Sequence, residues 1–223
     1  MSELNPVVRG PASDPFPLAA FFMLDHRVAG MSEHNHGQDD HDHDGHDHDG
    51  HDHGHHSHDL ETLGIGIVTV SSSRGVEEDT SGDAIADAVE GAGHAVSIRE
   101  VINDDYDSIQ NTVSRLTGRG DIDCVVTTGG TGVTPDDVTI EATEPLFDKR
   151  LPGFGELFRS LSREEIGTKV VGTRATAGIV DGVPVFCLPG SENAVRLGTE
   201  AIIVEEAPHL AGLARRDKGD DEE

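Results

Sequence analysis

The chain carries the sequence VVTTGGTG at residues 125–132, in which a run of β-branched side chains ends in glycines. This is the form of a strand, a glycine-rich turn and the start of a helix, with Pro135 expected near the first helical turn. Glycines let the backbone approach a ligand closely, and a helix N-terminus adds partial positive charge. The pattern therefore predicts a site for phosphate-like groups at the carboxyl edge of a sheet. A tight turn with purely structural glycines is the alternative.

The segments before this turn alternate between strand and helix patterns. Residues 63–70 form a continuous apolar run typical of a strand that is buried on both faces. Such alternation predicts βαβ units, and hence an α/β fold with three layers, α/β/α, around a mostly parallel central sheet. The further expected elements are helix caps at Asp79, Thr80 and Ser81, a strand at His94–Ile102, a helix capped by Asn103 or Asp104, and a strand at Ile122–Thr127.

The second half of the chain has a less regular pattern. It predicts a helix at Phe154–Ile166 and a hairpin over residues 177–188, with its turn near Asp181 and Gly182. A long C-terminal helix over residues 192–213 is expected to be interrupted near Pro208. The folded domain is therefore expected to span residues 60–214, followed by an acidic tail at residues 215–223.

Paired aspartates follow two of the expected strands. Asp136 and Asp137 come directly after the glycine-rich turn, and Asp104 and Asp105 follow the second strand. In a parallel sheet these side chains emerge at the same edge, where carboxylates could bind the Mg²⁺ that phosphoryl transfer requires. Each pair also lies where a helix N-cap is expected, so capping is the alternative for either pair alone.

Polar and basic residues follow other strands of the expected sheet. The segment Pro189-Gly190-Ser191 ends a strand and opens a helix, so Ser191 either caps that helix or binds ligand beside Gly190. Ser71 and Arg74 follow the first strand. Arg74 and Arg174 are candidate anion-binding side chains, because guanidinium groups match the geometry of phosphate oxygens.

The chain of 223 residues is strongly acidic, with 43 Asp and Glu against 16 Lys and Arg. Such a surface repels nucleic acid and anionic membranes, so neither is expected as a partner. The charge resembles adaptation to high salt and predicts a halophilic, haloarchaeal source, with an ordinary acidic protein as the alternative. Cys124 and Cys187 lie in apolar runs and are expected to be buried thiols in a cytoplasmic, reduced protein.

Residues 1–59 differ in composition from the rest of the chain. Residues 39–59 alternate Asp, His and Gly and hold nothing apolar to bury, so a disordered extension is expected. Met31 is a plausible translation start, which would make residues 1–30 an extension of the gene model. Neutral imidazoles bind Ni²⁺, Zn²⁺ or Cu²⁺, so the histidines predict a metal-binding role for this extension. A soluble acidic spacer is the alternative. The candidate metal ligands are His41, His43, His46, His48, His51, His53, His55 and His56.

Several of these motifs together resemble the MoaB/MogA molybdopterin-binding family. The resemblance rests on TTGGTG at residues 127–132 with DVT at 137–139 and EA at 141–142. GFGELFR at 153–159, LPGS at 188–191 and DTSG at 79–82 match as well, and the likeness covers about residues 62–214. Asp136 is a departure, because the family often has arginine at this position.

The resemblance implies Mg²⁺- and ATP-dependent adenylylation of molybdopterin, with Asp137 and Asp104 as catalytic residues and Mg²⁺ ligands. It also implies a homotrimer or homohexamer and, as a further partner, a metal insertase of the same pathway. Two alternatives stay open: a non-catalytic molybdopterin-binding or scaffold protein, and a metal-binding protein acting through its His/Asp extension. The implied substrate- and nucleotide-binding residues are Thr128, Gly129, Gly130, Thr131, Gly132, Ser71, Arg74, Arg174, Pro189, Gly190 and Ser191.

Overall fold

A computed structural model describes residues 59–72 and 78–215 of the chain. The helices are α1 (Thr80–Gly91), α2 (Tyr106–Thr117), α3 (Thr139–Thr143), α4 (Pro152–Ile166), α5 (Glu192–Gly198) and α6 (Val204–Arg215). The strands are β1 (Gly64–Val70), β2 (Ala95–Ile102), β3 (Cys124–Thr128), β4 (Lys149–Arg150), β5 (Thr176–Val180) and β6 (Val183–Leu188). Short 3₁₀ segments at Glu144–Leu146 and Gly167–Gly172 and a π turn at Thr199–Ile203 complete the described elements.

The six strands form one sheet in the order β2-β1-β3-β6-β5-β4. Strands β2, β1, β3 and β6 run parallel, whereas β5 is antiparallel to both β6 and β4. The parallel strands bring the ends of β1, β3 and β6 to one edge, where the segments after them meet. The expected hairpin is confirmed as β5 and β6, with its turn at Asp181 and Gly182, both of which have positive φ.

Successive side chains of β1 enter different halves of the core. Ile65 and Ile67 pack with α1, α4, α5 and α6, whereas Val68 and Val70 pack with α2 and α3. Helices therefore cover both faces, and the expected three-layer α/β/α architecture with a mostly parallel sheet is confirmed. Cys124 and Cys187 are buried in β3 and β6, as the apolar runs around them indicate.

Three expectations about helix ends are wrong. Asp105 caps α2, because its Oδ1 accepts a hydrogen bond of 2.9 Å from the Ser108 amide. This differs from the expected cap at Asn103 or Asp104 and agrees with the capping alternative for the Asp104–Asp105 pair. Pro135 does not lie in a helical turn, since α3 begins only at Thr139. The C-terminal helix is interrupted at the π turn and continues through Pro208.

The described part of the chain contains no helix that is both long enough and apolar enough to cross a membrane.

Candidate functional site

The glycine-rich loop, residues 129–138, leaves β3 at the carboxyl edge of the sheet and touches both neighbouring strands. Gly129 has φ of +94°, and a Cβ at this position would lie 2.3 Å from the carbonyl oxygen of Val70 in β1. On the other side, the Gly129 amide donates a 3.1 Å hydrogen bond to the Leu188 carbonyl, and a Cβ on Gly190 would lie 3.1 Å from the Gly129 Cα. Glycine is therefore required here for close approach of three chain segments.

The base of this loop is held by Thr139. Its Oγ1 donates a 2.8 Å hydrogen bond to the Gly129 carbonyl, and its amide donates one of 2.9 Å to the Gly130 carbonyl. A Cβ on Gly130, which has φ of +60°, would lie 2.3 Å from the Thr139 Oγ1. Gly129 and Gly130 therefore have a structural role, and their ligand-binding role stays a prediction.

The helix after the glycine-rich turn begins later than expected. Helix α3 has five residues and begins at Thr139, after the loop rather than within it. Asp136 and Asp137 instead occupy a turn in which the Asp137 amide donates a hydrogen bond to the Thr134 carbonyl. Any anion in the loop would therefore be bound by loop amides, a cation or Arg174.

Asp104 and Asp137 converge beside the loop. The Oδ1 atom of Asp104 is buried and has no hydrogen-bond partner among the described residues. Burial raises the pKa of Asp104, and the negative charges of Asp137 and Asp136 raise it further, against a smaller opposing effect of the Val138 amide. A buried carboxylate oxygen without a donor, next to other carboxylates, is a favourable position for a cation.

Asp137 has the opposite electrostatic environment. Its Oδ2 accepts hydrogen bonds from the Thr134 hydroxyl at 2.6 Å and from the Thr134 amide at 2.9 Å. The Thr134 hydroxyl is the main cause of the lowered pKa of Asp137, and the Arg174 charge lowers it further. Asp137 therefore stays ionised at neutral pH and retains lone pairs for a metal ion.

The donor set fits Mg²⁺ held with help from a phosphate. In the described ranges, no group of three or more His, Cys, Asp or Glu side chains is arranged around one point as a closed metal site. Mg²⁺ is usually bound by one or two carboxylates together with substrate phosphates and water, so the pair of Asp104 and Asp137 is sufficient.

Arg174 lies beside the glycine-rich loop, as expected, but it already has protein partners. Its Nη1 and Nη2 donate to the Glu141 carboxylate at 2.6 and 3.1 Å. Its Nε donates to the Thr131 carbonyl at 3.0 Å, and Nη2 also donates to the Asp137 carbonyl at 3.3 Å. Arg74 and the eight candidate histidines of the extension lie outside the described residues.

The segment Pro189-Gly190-Ser191 forms the opposite wall of the site. Thr128 Oγ1 donates a 3.1 Å hydrogen bond to the Pro189 carbonyl, and Ser191 Oγ accepts from the Ala194 amide at 3.4 Å as the cap of α5. The capping role of Ser191 is therefore confirmed. A cleft of about 350 Å³ is lined by Gly129, Gly130, Thr131, Gly132, Asp137, Gly172, Thr173, Arg174, Pro189 and Gly190.

A buried ion pair supports this wall, and sequence reasoning assigned its carboxylate only a capping role. Asp79 is fully buried and caps α1, and it also accepts from the Thr69 hydroxyl at 2.8 Å and from Arg99 Nη2 at 2.8 Å. Two residues beyond Asp79, Ser81 donates a 2.9 Å hydrogen bond to the Gly190 carbonyl. The available sequence signal was Arg99, a charged residue inside the strand β2.

A second, smaller cavity shares Gly129 and Gly190 with this cleft. It measures about 150 Å³ and is lined by Thr69, Val70, Ser71, Ser81, Thr128, Gly129 and Gly190. Among the residues expected from sequence to bind ligand, all except Arg74, Ser191 and Asp104 line one of these two spaces. Ser191 instead lines a neighbouring cavity of about 360 Å³ between α4 and α5, together with Phe158 and Leu197.

Comparison with known proteins agrees with this arrangement. Residues 66–209 match the family described as "Probable molybdopterin binding domain". The chain belongs to this family. Within it, the similar curated proteins and solved structures named below are of the MoaB type, so the resemblance to the MoaB/MogA family is confirmed.

Two curated relatives illustrate the similarity of this MoaB/MogA family member. Molybdenum cofactor biosynthesis protein B of Bacillus subtilis is 42% identical over 153 residues, which is 68% of this chain and 90% of that protein. A Pyrococcus furiosus protein named molybdopterin adenylyltransferase is 44% identical over 161 residues, covering 70% of this chain and 93% of that protein. The family role in molybdenum cofactor biosynthesis therefore applies to this chain.

Solved structures agree with the fold. A crystal structure of molybdenum cofactor biosynthesis protein B superposes with a TM-score of 0.68 at 42% identity, covering 70% of this chain and 97% of that one. The tungsten cofactor synthesizing protein MoaB from Pyrococcus furiosus gives a TM-score of 0.63 at 44% identity, covering 70% and 99% of the two chains.

Proposed function

We propose that this protein adenylylates molybdopterin with Mg²⁺ and ATP. The observation that carries the proposal is the buried Oδ1 of Asp104, which has no hydrogen-bond partner among the described residues and lies near Asp137, a residue that lines the cleft of the glycine-rich loop. Support comes from the name molybdopterin adenylyltransferase given to the Pyrococcus furiosus relative.

The reaction depends on positioning more than on proton transfer. An oxygen of the terminal phosphate of molybdopterin forms a bond to the α-phosphorus of ATP, and the bond to pyrophosphate breaks. The loop amides and the Pro189-Gly190 wall would orient the phosphates, which supplies effective concentration and alignment. When bound, Mg²⁺ neutralises charge on the phosphate oxygens, and Asp104 and Asp137 are the side chains that would hold it. As in the sequence analysis, we propose a homotrimer or homohexamer that delivers its product to a metal insertase.

The acidity of the cleft makes a binding-only role the competing candidate. Asp136 adds a third carboxylate beside Asp104, and Arg174 is paired with Glu141. A site that binds molybdopterin alone holds less negative charge than one that also binds ATP, so it needs fewer cations. The His/Asp extension and its Ni²⁺, Zn²⁺ or Cu²⁺ ligands stay a separate prediction.

Pyrophosphate release separates these functions. The full chain in molar KCl would be incubated with molybdopterin, ATP and Mg²⁺, beside Asp137→Ala and the control Asp87→Ala, which changes an exposed aspartate of α1. We expect pterin-dependent release from the wild type and the control but not from Asp137→Ala. Tight molybdopterin binding without release would contradict adenylylation and establish the binding role. Deletion of residues 1–59 with unchanged turnover would show that the domain acts alone.

A further inference from the structure

Arg174 contacts the glycine-rich loop from a distant part of the chain. It reaches the carbonyl oxygens of Thr131 and Asp137, near the two ends of the segment that lines the cleft. The Glu141 carboxylate, on the far side of the loop, binds the same guanidinium through two hydrogen bonds. One planar group thus connects three points of the chain between residues 131 and 141.

The other contacts of the loop hold its base, where Thr139 and Leu188 bind Gly129 and Gly130. The carboxylate of Asp137 is bound locally, by Thr134 three residues earlier, so this contact does not anchor it to the rest of the domain. The carboxylates of Asp104 and Asp137 carry like charges and repel each other. Helix α3 is too short to hold the loop by itself. The Val138 amide interacts with the Asp104 carboxylate, and Arg174 adds a contact to the backbone of Asp137 itself.

We infer that Arg174, oriented by Glu141, is a positioning residue that holds the Asp137 backbone so that its carboxylate meets Asp104. This inference rests on the proposed function, because it assigns a role within the same site. All three guanidinium nitrogens are used by protein acceptors, and Glu141 balances the charge. The inference therefore gives Arg174 a role through geometry, and the anion-binding role expected from the sequence stays a separate prediction.

The planarity of the guanidinium makes this inference testable with lysine. A lysine at this position would keep the positive charge and the ion pair to Glu141, but an ammonium cannot reach two separate carbonyls while paired side-on with a carboxylate. Arg119 offers a matched control, since it forms a two-point pair with Asp121 in the loop before β3 at the opposite edge of the sheet.

Hydrogen exchange of the loop amides measures the constraint directly and needs no activity. Peptides covering residues 129–141 would be compared in the wild type, Arg174→Lys and Glu141→Ala, with Arg119→Lys and Asp121→Ala as controls. We expect both site variants to raise loop exchange on the order of 10-fold and the controls to leave it unchanged. Glu141→Gln, which keeps one acceptor for Arg174, should give an intermediate value and guards against a folding defect in Glu141→Ala.

Steady-state kinetics give the second measurement. Both site variants should lower kcat on the order of 10-fold, with KM for ATP within about 2-fold of wild type, because positioning is lost and binding is not. The double variant should lose no more than either single variant. Unchanged loop exchange in Glu141→Ala would overturn the inference. So would an Arg174→Lys variant with raised KM and unchanged kcat and exchange, since Arg174 would then bind substrate. A wild type without turnover would refute the proposed reaction, while exchange would still decide the role of Arg174.

Discussion

The two ends of the parallel strands define two edges of the sheet. Both edges carry aspartates and arginines, but the hydrogen bonding of these residues differs. At the edge where β1 and β3 begin, Asp121 pairs with Arg119, and Asp123 pairs with Arg215 and accepts from the Gly64 amide. At the edge where these strands end, Asp104 has a buried oxygen without a partner, and Arg174 is occupied by Glu141. Carboxylates whose oxygens have donors support the fold, whereas a buried carboxylate oxygen without a donor costs stability and marks a candidate ligand site.

The largest effect is expected for Asp104→Asn. An amide keeps the shape of the side chain but removes the negative charge, so adenylylation should fall about 100-fold or more. The thermal midpoint should stay equal or rise, because repulsion from Asp137 is relieved. Pyrophosphate release and differential scanning fluorimetry on the same samples measure both. A variant that loses stability together with activity would contradict the comparison, since Asp104 would then act as a structural residue.

A smaller effect, on stability, is expected for Gly129→Ala. The added Cβ would lie 2.3 Å from the Val70 carbonyl oxygen at a φ of +94°, so β1 and β3 must separate locally. We expect a loss of about 2–4 kcal/mol in the free energy of unfolding, measured with urea. Gly93→Ala is the matched control, because its φ is +86° but no atom lies within 4 Å of the added Cβ. It should lose only about 1 kcal/mol, from backbone strain. Equal losses would show that the close approach of the strands contributes nothing.

A still smaller effect concerns pH. The folded pKa of Asp104 is raised, so its contribution favours the fold below its ordinary value of 3.8 and is lost as pH rises through the higher folded pKa. Asp104→Asn should therefore gain stability relative to the wild type at pH 7 and lose that gain below pH 4. Urea unfolding of both proteins at the two pH values measures the difference. Mg²⁺ should reduce the gain at pH 7 by stabilising the ionised wild type, and a gain that is independent of pH would be inconsistent with ionisation of Asp104.

The smallest effects should come from the opposite edge. Arg119 and Asp121 are exposed and paired with each other, so Asp121→Ala should leave turnover and loop exchange at wild-type values. Its thermal midpoint should also be close to that of the wild type. A clear loss of turnover would contradict the claim that the ion pairs of this edge support only the fold, because a remote ion pair would then be coupled to the site.

Local patterns were sufficient for most elements of the fold. The apolar run of β1, the hairpin around Asp181 and Gly182, and the helix α4 all follow from side-chain periodicity and turn residues within a few positions. The errors occurred at the starts of helices, where neighbouring residues compete, and at Pro208, which lies inside α6. Asp104 and Asp105 are both suitable caps, and only the path of the chain after β2 decides that Asp105 accepts the bond.

The sequence by itself determined the layered α/β architecture, the glycine-rich loop and the position of Asp104 and Asp137 at one edge, because parallel strands place their following loops together. Tertiary structure decided which glycine contacts which strand, which carboxylate lacks a donor and which partner occupies Arg174. Glu141 and Arg174 are 33 positions apart, and Ser81 and Gly190 are 109 apart. No local sequence pattern predicts such pairs, because their hydrogen bonds form only after the sheet has brought the loops close to each other.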